Sequence, residues 1–245
     1  MFSIFKSKPV LKELIPNGFV DIHSHVLYGL DDGAKSISDT VFLIESMKEF
    51  GFEKIITTPH TTPLVWDNTK EVILKKLDEV KIEIPDLSNA VSLNVASEYL
   101  IDDSFLKRLE EEKLLCLKDN MVLIEMSYIN PPIQLYDILF KLVTQGYQPI
   151  LAHPERYNFY KNDFDSFKRL KKAGCLFQLN LLSVTGYYGQ GITKVADELL
   201  KNNMYDFVGS DIHHDNHIAG FSSKIKCSQI KTIENVIENN IQVFG

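Results

Sequence analysis

Histidine and carboxylate side chains recur at the ends of short apolar segments along this chain. The stretch VDIHSHVLYGLDDG, residues 20–33, places His23 and His25 one residue apart, and Asp31 and Asp32 follow within ten positions. Alternate side chains of a strand lie on the same face of a sheet, so the two histidines could bind one metal ion. Two solvated histidines at a strand end are the alternative interpretation, and LDDG is also a good turn sequence.

Residues of the same types stand late in, or directly after, the other predicted strands. Five of the seven histidines lie at strand ends, and the remaining two, His214 and His217, neighbour the last of these. Glu98 in VASEYL and Glu125 in VLIEMS place a carboxylate inside an apolar strand, where a charge needs a partner or a metal ion. The candidate metal ligands are His23, His25, Asp32, His60, Glu98, Glu125, His153, Asp211 and His213.

Imidazoles and carboxylates without a thiolate favour manganese, zinc or iron over calcium or copper. At least eight candidate ligands exceed what one ion can use, so we expect two or three ions that share carboxylates. Such a cluster suits displacement at phosphorus, and hydrolysis of a phosphate ester is the leading chemistry. For a single residue such as His60, capping the loop before Pro63 is the alternative.

Arg156 follows His153 by three residues in HPERY. A guanidinium binds phosphate oxygens in a bidentate fork, so Arg156 is a candidate phosphate ligand. A surface ion pair with Glu155 is the alternative interpretation.

The elements that must position these residues alternate between strand and helix. Strands are predicted at 19–25, 54–60, 92–100, 121–128, 148–155, 175–184 and 206–213. Helices are predicted at 36–52 and near 69–82, 103–113, 132–145, 163–173, 190–203 and 228–241. The strand spacing is that of a βα unit, and an open doubly wound sheet would also fit this alternation. Reactive side chains at the carboxyl ends of successive strands favour the α/β barrel.

Composition indicates a folded protein of 245 residues with 44% apolar residues and a formal charge of -7. The negative charge opposes binding to nucleic acid or to anionic membranes. No run of 18 apolar residues predicts a membrane span, and the few apolar residues before Lys6 and Lys8 in MFSIFKSKPV are too short a run for the h-region of a secretory signal, so we expect a cytoplasmic protein. The predicted organisation is an N-terminal extension, 1–18, followed by one domain, 19–245.

Three cysteines, Cys116, Cys175 and Cys227, lie far apart without a CxxC pair, which indicates neither a disulfide framework nor a thiolate metal site. Thiol-dependent tyrosine phosphatases need an arginine six positions after the cysteine. None of the three has one, so a covalent phosphocysteine route is excluded.

The motifs DIHSH, LDDGAKS, TTPH, ASEY, LIEMS, LAHPERY and GSDIH occur in this order from about Phe19 to His213. Together they resemble the polymerase and histidinol phosphatase (PHP) superfamily. More closely, they are similar to the manganese-dependent protein-tyrosine phosphatases of bacterial capsule and exopolysaccharide loci, the CpsB/YwqE type. The extension before Phe19 lies outside this resemblance.

The resemblance implies a distorted (β/α)7 barrel that carries a cluster of three metal ions, expected to be Mn²⁺, with iron or zinc as alternatives. It assigns His23, His25 and Asp211 to the first ion, with Glu98 as a bridge to a second. That second ion would be held by Glu125 and His153, and the third by Asp32, His60 and His213. The resemblance also implies attack by a metal-bound hydroxide while Arg156 and the cations absorb the developing charge. No residue is assigned as a general acid.

One feature departs from the family pattern. An arginine usually follows the GSDxH motif by a few residues as a second phosphate ligand, and the stretch HHDNHIAGF contains none. His217 or Lys224 could substitute for it. The departure concerns the substrate pocket and not the metal cluster.

The leading hypothesis, which rests on the resemblance, is a phosphatase acting on a phosphotyrosine protein, a bacterial tyrosine kinase that controls polysaccharide synthesis. One alternative is a phosphatase of small phosphomonoesters such as histidinol phosphate. Another is a noncatalytic metal-binding regulator of the kinase. A nucleic-acid exonuclease of the same superfamily is disfavoured by the acidic balance. We expect no nucleic acid as partner and no membrane insertion, and an oligomer is compatible with the sequence.

Overall fold

The computed structural model describes residues 8–102 and 104–245. Residues 1–7 of the predicted extension, and Asp103 at the start of the predicted helix 103–113, lie outside this part. The strands are β1 (Phe19–Asp21), β2 (Phe52–Thr57), β3 (His60–Thr61), β4 (Ser92–Val95), β5 (Glu98–Leu100), β6 (Met121–Glu125), β7 (Gln148–Ala152), β8 (Leu176–Asn180) and β9 (Phe207–Gly209). The α-helices are α1 (Ile37–Glu49), α2 (Lys70–Glu83), α3 (Pro85–Ala90), α4 (Phe105–Glu111), α5 (Leu135–Thr144), α6 (Phe164–Lys172), α7 (Gln190–Lys201), α8 (Asp215–Gly220) and α9 (Ile230–Phe244).

All paired strands run parallel, which confirms the α/β class. They form one sheet in the order β1-β2-β4 and another in the order β3-β5-β6-β7-β8-β9. Helices connect most successive strands, as parallel pairing requires.

The prediction of seven strands is wrong in detail, because two of them are interrupted. The predicted strand 54–60 is β2 followed by β3, and the strand 92–100 is β4 followed by β5. Between β2 and β3, Thr58 donates its backbone N–H to Ser24 O at 2.7 Å, outside the sheet, and Pro59 has no N–H to donate. The parallel pairing resumes beyond the break, where the Glu98 backbone N–H donates to Pro59 O at 3.2 Å.

The predicted strand 19–25 also ends early, at Asp21, so both histidines of the HxH pair follow β1. Their backbone pairs with the segment after β9: the Asp211 N–H donates to His23 O at 2.7 Å, and the His25 N–H donates to Ile212 O at 2.8 Å. Because of this parallel pairing, the backbone stays extended from His23 to His25. The two imidazoles therefore lie on the same side, with 5.4 Å between their ring centroids, as the alternation of side chains along a strand predicted.

Short 3₁₀ helices replace the ends of two predicted strands, at Pro154–Arg156 and Leu181–Thr185. Both segments are largely buried, and apolar runs of this length do not distinguish a strand end from a buried turn. The seven predicted helices are present, with Asp103 outside the described residues, whereas α3 and α8 were not predicted. Each spans six residues, too few for a helical period to show.

Helix α1 illustrates how the local sequence sets an element. Ser36 accepts a hydrogen bond from the Asp39 backbone N–H, and Asp39 reaches back to the Ser36 N–H, which completes a capping box. Ile44 and Met47, three positions apart on one face of the helix, are buried. Gly51 has a φ of +105°, which a residue with a side chain rarely adopts, and it follows the end of the helix at Glu49 and its C-cap Phe50.

The apolar core has two parts. The larger lies between the sheets and the helices and includes Leu11 and Ile15, from the described part of the predicted extension. The smaller gathers strand side chains and is closed by Phe244 of α9; its buried strand members include Val20, Ile56, Leu123, Ile150 and Phe207. No helix in the described ranges is both long and apolar enough to span a membrane.

Candidate metal centre

All nine predicted ligands lie in four overlapping groups, within each of which the ligand atoms are no more than 4.8 Å apart. The residues come from separate elements: they follow β1, β7 and β9, begin β3 and β5, end β6 and precede α1. The groups are His23, His25 and Asp211; His23, Glu98 and His153; His60, Glu98 and Glu125; and His25, Asp32, His60 and His213.

Glu98 lies at the centre of this cluster and is fully buried. Its Oε2 is 3.1 Å from His23 Nε2 and 3.2 Å from His60 Nδ1. Its Oε1 is 3.1 Å from His153 Nε2. A carboxylate whose two oxygens face different imidazoles has the geometry of a bridge between neighbouring ions.

Several buried atoms of the cluster have no hydrogen-bond partner among the described residues. They include His23 Nε2, His25 Nε2, His60 Nδ1 and Glu98 Oε2. Leaving buried polar atoms unpaired costs free energy, and in native structures such atoms require an explanation. Coordination of divalent ions would satisfy all four atoms at once, so the residues present fit a metal site.

The electrostatics of the cluster also favour cations. Burial alone would lower the pKa of His23, but the carboxylates of Glu98 and Asp211 raise it to about 10. Burial would raise the pKa of Glu98, and the surrounding histidines hold it well below its usual range. A buried carboxylate that stays ionised needs a positive partner, which a bound metal ion provides.

The histidines of the HxH pair are oriented by residues behind them. His23 Nδ1 lies 2.8 Å from Gln178 Oε1, and His25 Nδ1 lies 2.7 Å from Asp31 Oδ2. When each Nδ1–H donates to its acceptor, a neutral imidazole presents the lone pair of its Nε2 to the cluster, as metal binding requires. Asp31, weak as a sequence candidate, therefore positions a ligand. Gln178 was missed, since nothing in LFQLN marks it.

The structure groups the ligands as the family pattern implies for two of the three ions. His23, His25 and Asp211 are close together, and Asp32, His60 and His213 are close together. The expected set for the second ion is divided, however: Glu98 lies with Glu125 and His60 on one side and with His153 and His23 on the other. The assignment of ligands to individual ions stays a prediction.

Two of the predicted ligands have strained backbones. His153 has a φ of 35° and Asp211 a φ of 52°, in the left-handed region that residues with a Cβ rarely occupy. Such strain concentrates at functional sites, where packing imposes it. Gly209 lies two residues before Asp211, and a Cβ at Gly209 would lie 2.6 Å from His23 Cβ.

Arg156 adjoins the cluster and contacts one of its carboxylates. Its Nη1 donates to Asp211 Oδ2 at 2.6 Å, and Asn180 Nδ2 donates to the same oxygen at 2.8 Å. The guanidinium lies over the rings of Tyr188 and Tyr128, 4.3 and 5.0 Å from their centroids. The other oxygen of Asp211 therefore remains directed at the histidines, with Oδ1 3.2 Å from His23 Nε2.

A family model described as capsular polysaccharide synthesis, CpsB/CapC, matches residues 19–236. The chain belongs to the CpsB/CapC family. This confirms the resemblance that the motifs indicated.

Individual CpsB/CapC relatives match over most of the chain. CapC of Staphylococcus aureus is 30% identical over 195 residues, which cover 79% of this chain and 76% of CapC. The tyrosine-protein phosphatase YwqE of Bacillus subtilis is 27% identical over 198 residues, 80% of this chain and 77% of YwqE. A chain from crystal structures of YwqE and of CpsB from Streptococcus pneumoniae, described as metal-dependent tyrosine phosphatases, has a TM-score of 0.79. It is 23% identical and covers 92% of this chain and 94% of that chain, a likeness that shows the fold.

In this CpsB/CapC protein the alternative interpretation of Arg156, an ion pair with Glu155, is wrong. Glu155 is buried and faces away: its Oε1 accepts hydrogen bonds from Ser183 Oγ at 2.7 Å and its Oε2 from Tyr205 at 2.9 Å. Burial raises the pKa of Glu155. Neighbours in sequence thus have different roles, because the 3₁₀ turn directs one side chain toward the cluster and the other into the core.

The two candidates for the missing family arginine differ in position. His217 is buried beside the cluster, and its Nδ1 accepts the His213 backbone N–H at 3.1 Å. Burial lowers the pKa of His217 to about 4, so it is neutral at pH 7 and does not supply the charge of an arginine. Lys224 is exposed, and its backbone bridges to Val10.

Aromatic rings flank the cluster on two sides. Trp66 stacks on His60 with 5.0 Å between ring centroids, and Tyr128 stacks on His153 at 5.8 Å. His60 and His153, on which the two rings stack, face different oxygens of Glu98. Flat apolar surfaces next to a metal site suit a substrate with an aromatic ring.

Proposed function

We propose that this CpsB/CapC protein is a metal-dependent protein-tyrosine phosphatase. The observation that carries the proposal is the central position of Glu98, whose two oxygens face histidines from three different segments. The names of the relatives YwqE and CpsB, tyrosine-protein phosphatases, support the substrate class.

The nine clustered residues would hold the metal, which we propose to be three Mn²⁺ ions, with iron or zinc as alternatives. Bound ions would supply positive charge to the phosphate oxygens and make a water molecule acidic enough to attack phosphorus. Asp31 and Gln178 would hold the imidazoles of His25 and His23 with Nε2 toward the ions.

Arg156 would bind the phosphate and stabilise the charge that develops on it, because a guanidinium can share its donors between a carboxylate and a phosphate. Its position between Tyr128 and Tyr188 fixes its plane, which limits the entropy lost on binding. The departing tyrosinate is the conjugate base of a hydroxyl with a pKa of about 10, so the reaction does not depend on a strong general acid.

Within the α/β class, we propose that the parallel strands form a distorted (β/α)7 barrel and that residues 19–245 are a single domain. Two features support it: the hydrogen bonds that join the segment after β1 to the segment after β9, and the apolar cluster to which several strands contribute. In such a barrel the side chains at the carboxyl ends of the strands converge on one face.

The proposed substrate is phosphotyrosine on a bacterial tyrosine kinase that controls capsule or exopolysaccharide synthesis. Support comes from the description of the family as capsular polysaccharide synthesis. The proposed location is the cytoplasm, and the three unpaired cysteines suit a reducing compartment.

The test is hydrolysis of a phosphotyrosine peptide and of histidinol phosphate by the purified protein, each with chelator and then with added Mn²⁺. We expect a higher kcat/KM for the peptide, loss of activity in chelator and recovery with Mn²⁺. A preference for histidinol phosphate would indicate the small-molecule phosphatase instead. Metal binding without turnover of either substrate would indicate a noncatalytic regulator.

A further inference from the structure

A cleft of about 580 Å³ opens directly beside the metal cluster. Asp32 and His213 line it and also belong to the cluster, with 3.5 Å between Asp32 Oδ1 and His213 Nε2. A molecule in this cleft would therefore be continuous with a phosphate bound at the cluster.

The wall of the cleft away from the cluster is formed by one face of α1. Phe42 and Leu43 follow Asp39 by three and four positions on this helix, and all three contribute to the lining. Leu43 is buried in the core, whereas 47% of the Phe42 surface is exposed. An exposed phenylalanine in a concave surface that no other described residue covers offers an apolar contact to a ligand.

The charge of the lining is predominantly negative. Asp32 belongs to the metal cluster; beyond it, Asp39 and Asp215 contribute carboxylates, opposed by Lys35. Lys35 Nζ donates to the Asp31 backbone oxygen at 2.8 Å, which orients it toward its own loop. The side chain of Asp215 is 76% exposed; its Oδ1 accepts the Asn216 backbone N–H and lies 3.9 Å from His214 Nδ1, and the carboxylate remains open to a cation of a ligand from the solvent side.

We propose that this cleft binds the peptide segment that flanks the phosphotyrosine, and that it selects a segment with an apolar side chain and a lysine or arginine. The inference rests on the proposed phosphatase function and adds a subsite to it. The occupant follows from continuity: a phosphate at the cluster is covalently attached to its peptide, which must leave the cluster along an open surface. The cleft provides that surface, and its charge disfavours an acidic flank.

The first test removes the apolar contact. Phe42→Ala raises KM for a phosphotyrosine peptide with an apolar flanking residue by about tenfold, because the bound peptide loses the aromatic surface that it would bury. KM for p-nitrophenyl phosphate, which has no flanking segment, does not change. Phe140→Ala is the matched control, since Phe140 is 69% exposed on α5 and does not line the cleft.

The second test reverses a charge. The unmodified protein has a higher kcat/KM for a peptide with a flanking lysine than for one with a flanking glutamate. Asp215→Lys abolishes or inverts this preference: kcat/KM falls by about threefold or more for the lysine peptide and rises by about threefold or more for the glutamate peptide. Asp165→Lys is the control, because Asp165 is equally exposed in the first turn of a different helix, α6.

The outcomes separate this inference from the proposed function. Activity on both p-nitrophenyl phosphate and peptides, with no peptide-specific effect of Phe42→Ala or Asp215→Lys, overturns the docking cleft alone. An equal rise in KM for p-nitrophenyl phosphate and peptide assigns Phe42 to the support of the metal cluster and also overturns it. An absence of activity on both substrates overturns the phosphatase function and the cleft with it.

Discussion

At the scale of single residues, the two histidines of the HxH pair are held by different acceptors. Asp31 offers a carboxylate to His25, and Gln178 offers a neutral amide oxygen to His23. A carboxylate increases the basicity of the imidazole that it holds more than an amide does, so His25 should be the stronger ligand. Asp31 also accepts the backbone N–H of Gly33 and of His60, which connects three parts of the site.

Replacing the carboxylate by an amide tests this role. We expect Asp31→Asn to weaken Mn²⁺ binding by roughly 10- to 100-fold, because His25 loses its anionic partner. Calorimetric titration of the metal-free protein measures the affinity. Asp78→Asn on α2 is the control, since Asp78 is exposed and outside the site. Unchanged affinity in Asp31→Asn would show that this carboxylate has only a structural role.

Arg156 allows a second test at this scale. We expect Arg156→Ala to lower kcat/KM for phosphotyrosine peptides roughly 100-fold, because a donor to the phosphate is lost. Metal content should stay the same, because Asn180 still holds Asp211 Oδ2. Steady-state kinetics and elemental analysis of the same preparation measure both quantities. Loss of bound metal would instead assign Arg156 to the positioning of Asp211.

The candidate site was largely predictable from residue types, because histidines and buried carboxylates at strand ends are conspicuous. Gln178 was not predictable, since a glutamine in a strand has no distinguishing chemistry until the fold places it behind His23. The pairing of Glu155 with Ser183 and Tyr205 was hidden for the same reason. Hydrogen bonds between distant segments leave no trace in local sequence.

At the scale of elements, the parallel strands were predictable and their interruptions were not. The break between β2 and β3 depends on Thr58, whose N–H bonds to Ser24 instead of continuing the ladder. This contact joins residues 34 positions apart. The interruption has a functional consequence, because it places His60 at the start of β3, beside Glu98 at the start of β5.

The close approach of β9 to the histidine pair gives a prediction about this element. A Cβ at Gly209 would lie 2.6 Å from His23 Cβ and 2.7 Å from Gln178 Nε2. We expect Gly209→Ala to lower the free energy of unfolding by about 1 to 3 kcal/mol through overpacking. Urea denaturation measures it.

Gly191→Ala is the matched control for this substitution. The nearest atom to a Cβ at Gly191 is the flexible end of Lys161, at 3.3 Å, and alanine favours the helix. We expect no loss of stability in this control. Equal stability of Gly209→Ala and the unmodified protein would mean that the strands separate easily at this point.

At the scale of the whole molecule, the metal cluster should stabilise the fold, because its ligands come from segments spread over the chain from His23 to His213. Ions that bind only the folded state stabilise it by about 2.7 kcal/mol at 100 times their Kd. We expect Mn²⁺ to raise the melting temperature of the metal-free protein by roughly 5 to 10 °C. Scanning calorimetry measures the shift.

Glu98→Gln is the variant that controls for nonspecific effects of Mn²⁺. It keeps the size of the side chain and removes the bridging charge, so its melting temperature should respond much less to the metal. A shift as large as that of the unmodified protein would show that the stabilising ions bind elsewhere.

Anomalous diffraction from crystals grown with Mn²⁺ is the decisive test of the metal centre. We predict anomalous density for a cluster of ions around Glu98, with one ion between His23, His25 and Asp211. Manganese bound only at the protein surface, in a preparation that hydrolyses phosphotyrosine peptide, would contradict the assignment of this cluster as the metal centre.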